Sequence, residues 1–382
     1  MSVDMIISIS ILLALTYFIW RLNSTKRVLK TKVSRSKNSQ ARKSASQTRQ
    51  NFQTNILANV SEPPQVELEL PADFLSFKLL ISDKLNEKQQ KIVIDISQSF
   101  RKPHPLLLPL TQGVFEPNEL FDLIKTDAEM TAKILNAVNS SLFALRQPIT
   151  NINHAIIFLG ISQVKNIAMQ FAVQNNMEFT DKTQNKAYKK LWTASYLASS
   201  FCLLFANEMN EENPAELSTH CLLSYLGDLA ILSYKPSVAG FYLDDYTLFD
   251  RSKVFQNTLN TNAAVVGKHI VEQWQLPKSI ETGIEHSISP LTNEANNQGL
   301  SSEQLRQGLI CYLSCRLGDL IAFGDVRDIT QVGKLSFDAL GKVEFYYLQE
   351  NIKNMGLDKI NAVFAEARFK NKINKVIEQV LG

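Results

Sequence analysis

DAEMTAKILNAVNSSLFALRQPITNINHAIIFLG, residues 127–160, is the stretch on which the fold turns. Asp127 is placed as an N-cap, where a short acidic side chain accepts from free backbone N–H groups of the first helical turn. Behind it Met130, Ile134, Leu135 and Val138 recur at the spacings of one apolar helix face, so all four are expected in a core. Asn139 and Ser140 favour local bonds between side chain and backbone, which suits a helix end that turns sharply. Thr150 or Asn151 then caps a second helix, INHAIIFLG, with Gly160 expected just past its end. Two capped helices joined by a polar turn leave no room for a strand.

The same pattern continues outward. NEKQQKIVIDISQSF sets Ile92, Val93, Ile96 and Phe100 on one helical face, and Pro103, Pro105 and Pro109 are expected to break the helix. Pro117 opens a helix carrying Leu120, Phe121 and Ile124, and Ser162 is expected to cap QVKNIAMQFAVQNNM. Longer helices are expected at about 185–210, 215–233, 258–273 and 303–323. No alternating strand run and no 20–50-residue repeat occurs, and 14 Gly and 12 Pro in 382 residues are too few for a turn-dense β architecture. The expectation is an all-α fold.

Residues 127–160 resemble the HDOD family: an acidic residue, a helix ending in Asn139-Ser140, an aromatic at Phe143, then Pro148-Ile149-Thr150, Ala155-Ile156 and Leu159-Gly160. Leu191-Trp192, Cys221 to Leu229 and Trp274-Gln-Leu-Pro277 match further landmarks of that family. The resemblance implies an N-terminal helical subdomain followed by an HD-like one, together spanning 85–325, with residues 326–382 as a helical extension packed on them. PLLLPLTQGVFEPNEL departs from the family in being a shorter connection between the first helices.

It also implies kinship with HD phosphohydrolases, where His and Asp ligands hold one or two metals that activate water. Here those positions are degenerate. Ser224 and Tyr225 stand where catalytic relatives carry His-Asp, Ala194 and Ala263 where they carry further His, and His286 is the remaining imidazole, followed by Ser287. One ligand does not hold a divalent metal against water, so no hydrolytic metal, catalytic residue or cofactor is expected. His220 and Asp228 are eight residues apart and fit no ligand spacing. His104 is expected to be solvated in its Pro-rich loop, and His154 and His269 to be partly exposed on helices. Gly227-Asp228 and Gly318-Asp319 read as packing glycines beside solvated carboxylates. Asn139, Ser140, Arg146, Pro148 and Thr150, with Trp274 and Pro277, are first structural anchors; alternatively, Asn139-Ser140 and Arg146 line a groove between the subdomains. No P-loop, nucleophile elbow or dinucleotide fingerprint occurs.

Cys202, Cys221, Cys311 and Cys315 all sit in apolar helical runs, without CxxC or Cys-His ligand spacing. Buried free thiols are the expectation, consistent with a reducing cytoplasm. Charge is divided unevenly. Residues 1–69 hold ten Lys/Arg against four Asp/Glu, which leaves 30 against 33 for the rest. A mildly acidic bulk gives no reason to expect a nucleic-acid partner.

Met5 to Trp20 is an uncharged apolar run, extended to about residues 5–22 by Arg21 and Leu22. As a helix its 16 residues rise about 24 Å, somewhat less than a hydrocarbon core of about 30 Å. Asp4 before it and Trp-Arg-Leu-Asn after it do not suit a cleaved signal peptide, so an uncleaved anchor is expected. All ten positive charges follow the run, which orients the chain with its N-terminus outside and the remainder in the cytoplasm of a bacterium, at the inner membrane. Residues 23–70 read as a basic tether, available to anionic lipid or serving as a solvated flank. The expected function is a non-catalytic membrane-tethered signalling or scaffold protein that engages cytoplasmic regulators. A degenerate phosphodiesterase or cyclic-dinucleotide sensor is the alternative.

Overall fold

Helix caps set most of the architecture. The computed structural model describes residues 69–382 except 101, 114, 141–144, 146, 174–178, 245, 293–298, 325 and 382. The expected anchor at 5–22, nearly all of the tether, Phe143 and Arg146 lie outside the described residues. Among those described there are no strands, and no helix is long and apolar enough to cross a membrane.

Residues 71–84 precede the first helix and are packed against the fold: Phe74 is buried and stacks near Phe249 and Tyr347. Helix α1 (Glu87–Ser99) starts from a capping box between Asn86 and Gln89, and buries Val93 and Ile96; Ile92 and Phe100 are half-buried at its edge. Helix α1 ends before Pro103, as expected, and a separate helix, α2 (Leu107–Gln112), contains Pro109. Pro109 is the third residue of that helix, inside the first turn, where its missing N–H costs no intrahelical bond. Helix α3 (Pro117–Ile124) has proline at its start, a Glu116–Glu119 capping box, and Leu120 and Ile124 fully buried.

Helix α4 (Ala128–Val138) is capped by Asp127, whose side chain accepts from the Met130 N–H at 2.7 Å. Met130, Ile134 and Val138 enter the core, whereas Leu135 lies at its half-buried margin. Asn151, rather than Thr150, caps α5 (Ile152–Leu159). Gly160 follows with φ +86°, and α6 (Ile161–Val173) begins at once, so Ser162 lies inside its first turn instead of capping it. One residue in a conformation that L side chains resist makes the whole joint.

Helix α7 (Lys182–Met209), about 42 Å long, is the spine. Asp181 caps its start, and Asn210 ends it in the left-handed conformation at φ 58°. The expected 215–233 helix is two, α8 (Pro214–Leu223) and α9 (Leu226–Tyr234), broken at Ser224-Tyr225. The expected 258–273 helix is also two, α10 (Leu248–Leu259) and α11 (Ala263–Gln273), separated by Asn260 at φ 54°. Helix α12 (Lys278–Glu285), unforeseen, follows the Trp274–Pro277 turn, and α13 (Ser302–Gly324) is the second long helix. Three short helices, α14 (Phe337–Leu340), α15 (Leu348–Asn354) and α16 (Lys359–Ala365), and the 15-residue α17 (Ala367–Leu381) complete the described chain.

Two groups of helices share one core. Helices α2–α6 pack among themselves, with α6 touching α8; α7 packs on α8 and α13, and α11 on α9 and α12. Helix α1 lies against α9 and α11, and α16 and α17 lie against α7.

Candidate functional site

The break between α8 and α9 falls at the Ser224-Tyr225 pair singled out from sequence. Ser224 Oγ donates to the His220 carbonyl at 2.6 Å, an oxygen that also accepts the Ser224 backbone N–H at 2.9 Å. Two close backbone approaches surround the break. A Cβ on Gly227 would sit 1.8 Å from the Ala263 carbonyl oxygen, and one on Gly318 2.7 Å from that of Ala194. Both glycines are therefore packing glycines, as expected, and they pin the two alanine positions against α9 and α13. Ala194 is fully buried.

A closed polar cluster fills this centre. The Tyr225 hydroxyl donates to Asp319 Oδ1 at 2.7 Å and lies 2.9 Å from the Cys315 carbonyl oxygen. Arg251 Nη2 donates to Asp319 Oδ2 at 3.0 Å, and Arg316 Nη1 stands 2.9 Å from the same oxygen. Arg251, Arg316 and Asp319 are each at most 5% exposed. Beside them Tyr242 donates to Asp228 Oδ1 at 2.9 Å, and Arg251 also covers the ring faces of Tyr242 and Phe323. The carboxylates of the two Gly-Asp pairs are thus packed inside the fold and paired, contrary to the solvated roles expected of them.

Burial, then the neighbouring Asp319 carboxylate, pushes the Tyr225 phenol far up, so it stays a donor. Burial also raises Asp228 and Glu344, with nearby guanidinium charge opposing. Arg251 and Arg316 stay charged: burial works against them, but Asp319 outweighs it and raises both. Two cations already occupy the carboxylate that a metal would need. With Ala194 and Ala263 offering no side-chain donor and Tyr225 spent on Asp319, this set does not fit a hydrolytic divalent metal.

His286 is placed elsewhere. With His220, Glu216, Cys311 and Gly283 it lines a cavity of about 130 Å3 between α8, α12 and α13. Gly283 is needed there, because a Cβ would come within 2.7 Å of the His220 ring. His104, expected to be solvated, instead pairs with Asp127 at 3.1 Å and accepts from the Leu106 N–H. His154 is exposed and His269 half-exposed.

The family-motif residues act as anchors. Asn139 Nδ2 donates to the Leu135 and Ile149 carbonyls at 2.9 and 2.8 Å, and its Oδ1 accepts from the Ile149 N–H at 2.7 Å. One side chain thereby staples the end of α4 to the Pro148-Ile149-Thr150 turn. Ser140 accepts from Gln379 on α17. Trp274 ends α11 and stacks on Phe100, and Pro277 precedes α12. A groove of about 470 Å3 does run between the helix groups, with Lys165, Phe115, Glu216 and Pro277 along it; Asn139 and Ser140 are not among its lining residues.

Sequence reasoning misplaced Asp319 at the surface and missed Arg316 and Arg251, and also the meeting of three cysteines. The available signal was a charged pair three residues apart inside the otherwise apolar run ICYLSCRLGDLIAF. Such a pair on a buried helix must be compensated from another element. Arg251, 65 positions upstream of Arg316, carries no comparable signal. Cys202, Cys221 and Cys311 come from α7, α8 and α13, yet their sulphurs lie within 4.8 Å of one another.

A strand-free helical domain around one long spine, with a paired polar cluster at a helix break, is the class these features define. Residues 107–290 match the HDOD domain family, and the chain carries an HDOD domain. No curated protein matches the sequence. Similar solved structures include an HDOD domain protein of unknown function from Geobacter sulfurreducens. It is 17% identical, with 84% of this chain and 98% of that one covered and a TM-score of 0.46. A protein named provisionally as a phosphohydrolase, from Shewanella amazonensis, is 14% identical over 76% and 98% of the two chains, with a TM-score of 0.50. Another, named provisionally as a signal transduction protein, from Marinobacter aquaeolei, is 17% identical over 78% and 67%, also at 0.50. At these identities the likeness to the two structures at 0.50 is one of fold alone.

Proposed function

We propose that this is a non-catalytic signal-transduction or scaffold protein, anchored in a bacterial inner membrane by residues 5–22 and presenting its HDOD domain to cytoplasmic regulators. The observation that carries the proposal is the Arg251–Asp319–Arg316 cluster with Tyr225, which saturates with protein cations the buried Asp319 carboxylate at the degenerate centre. A surface feature supports binding over chemistry: Ile157 and Phe158, adjacent on α5 in the family motif, are 81% and 56% exposed.

A second reading, a cyclic-dinucleotide sensor, is favoured by the groove of about 470 Å3, which falls within the roughly 300–1,000 Å3 of small-molecule sites. Lys165 beside the Phe115 ring is its one basic group over an aromatic face. The two readings separate in one set of measurements on the purified full-length chain: turnover of a cyclic dinucleotide with Mg2+ or Mn2+ added, and calorimetric binding of the same compound. We expect neither turnover nor saturable binding. Turnover abolished by His286→Ala would overturn the non-catalytic proposal, and binding lost in Lys165→Ala would establish the sensor reading instead.

A further inference from the structure

Three of the four cysteines meet in the middle of the HD-like helices. Cys202 on α7, Cys221 on α8 and Cys311 on α13 are buried free thiols whose sulphurs all lie within 4.8 Å of one another, with Cys202 and Cys311 Sγ 3.9 Å apart. Four sulphurs held at about 2.3 Å around a tetrahedral zinc stand about 3.8 Å from each other. The Cys202–Cys311 distance is close to that edge and the other two lie within 4.8 Å, with side chains reaching in from three separate helices. A disulfide would require Sγ atoms about 2.05 Å apart, far inside this distance.

The surroundings add two observations. Cys311 also lines the cavity of about 130 Å3 that His220 and His286 line, so one edge of the cluster borders that cavity. His220 directly precedes Cys221, its ring adjoins Cys311, and its buried Nε2 makes no hydrogen bond among the described residues, standing 3.8 Å from Glu216 Oε1. The thiols themselves are only weakly engaged. Cys221 Sγ lies 3.6 Å from the Cys311 carbonyl and Cys311 Sγ 3.5 Å from that of Leu217.

We propose that Cys202, Cys221 and Cys311 form a binding site for one soft, thiophilic cation of the zinc class, joining α7, α8 and α13. Thiolate sulphur selects such ions over Mg2+ or Mn2+, which prefer oxygen ligands. Binding displaces the thiol protons, so uptake is accompanied by proton release and strengthens as pH rises. The site is distinct from the degenerate hydrolytic centre, and its presence or absence leaves the non-catalytic proposal untouched.

The test uses the full-length chain, reduced with a non-thiol reductant and handled without oxygen. Titration with Co2+ is expected to give one ion per chain with thiolate-to-cobalt charge-transfer absorption, displaced by one equivalent of Zn2+. Zinc should also raise the melting temperature, because a ligand of the folded state alone stabilises it by mass action. Cys202→Ser, Cys221→Ser and Cys311→Ser should each lower the affinity by more than about 100-fold, beyond the 10–100-fold of an outer-shell change. Cys315→Ser should keep the band. If the serine variants fail to fold, the intact chain decides by the intensity of its charge-transfer band, which should be that of three thiolates per cobalt. Cobalt binding without the charge-transfer band, a band with the intensity of a single thiolate, or a band lost on Cys315→Ser alone would overturn the assignment.

Discussion

Asp319 carries more of the centre than any other side chain, since it faces Arg251, Arg316 and Tyr225 together. Removing one member of a buried ion cluster leaves charge without compensation, which costs about 3–5 kcal/mol. Asp319→Ala should lose that much in a urea titration. A loss under about 1 kcal/mol would mean that the guanidinium groups turn out to solvent. Asp127 allows a cleaner pH measurement. The Met130 N–H first, and His104 after it, hold its carboxyl below the ordinary value. A depressed folded pKa contributes stability above the unfolded value near 4 and loses it as pH falls through the folded one. Asp127→Asn keeps the cap but not the charge. The parent should therefore lose stability from about pH 5 downward more steeply than Asp127→Asn, and parallel curves would show that the carboxylate charge contributes nothing.

Helix phasing is decided one element at a time. In α4 the 3.6-residue period places Ile134 in the interior with no exposed surface, while Leu135, one position on, rotates by about 100° to the margin. Ile134→Ala should cost about 2–5 kcal/mol by chemical denaturation, and Leu135→Ala less than half as much. Equal losses would show that the margin is as tightly packed as the core. The break between α8 and α9 was not legible as a helix end, because CLLSYLGDLAIL has neither Pro nor an acidic cap. It exists because α9 must bring Gly227 against the Ala263 carbonyl, a contact that no other residue type permits. Asn260, similarly, hides the α10–α11 joint: an asparagine in the left-handed region looks like any polar residue on a helix surface.

At the scale of the molecule, the family match covers 107–290, whereas residues 68–382 form one compact unit. Helix α13 lies outside the matched span yet supplies Arg316, Asp319, Cys311 and Cys315, so both the degenerate centre and the thiol cluster are completed by this chain's own later helix. The proposed anchor is testable at the same scale. Deleting residues 1–22 should move the protein from the membrane to the soluble fraction in a cell fractionation, with its circular dichroism spectrum showing the same helices. Retention on membranes, or a mature chain that already starts near residue 25, would exclude residues 5–22 as the anchor.

The all-helical class, the caps at Asp127 and Asn151 and the family landmarks were legible in the linear chain, because caps and helical periodicity depend on neighbours within about one turn. Asn139 showed its part as a helix end by residue type alone, although its bonds to Ile149 needed the turn to close. The pairing of Arg251 with Asp319 and the meeting of Cys202, Cys221 and Cys311 were decided only in three dimensions. Those residues lie on different helices, 68 positions apart for the ion pair and 109 for Cys202 and Cys311. No local spacing rule links such distant positions; the packing of α13 against α7 does, and that packing is set by the shape of the whole core.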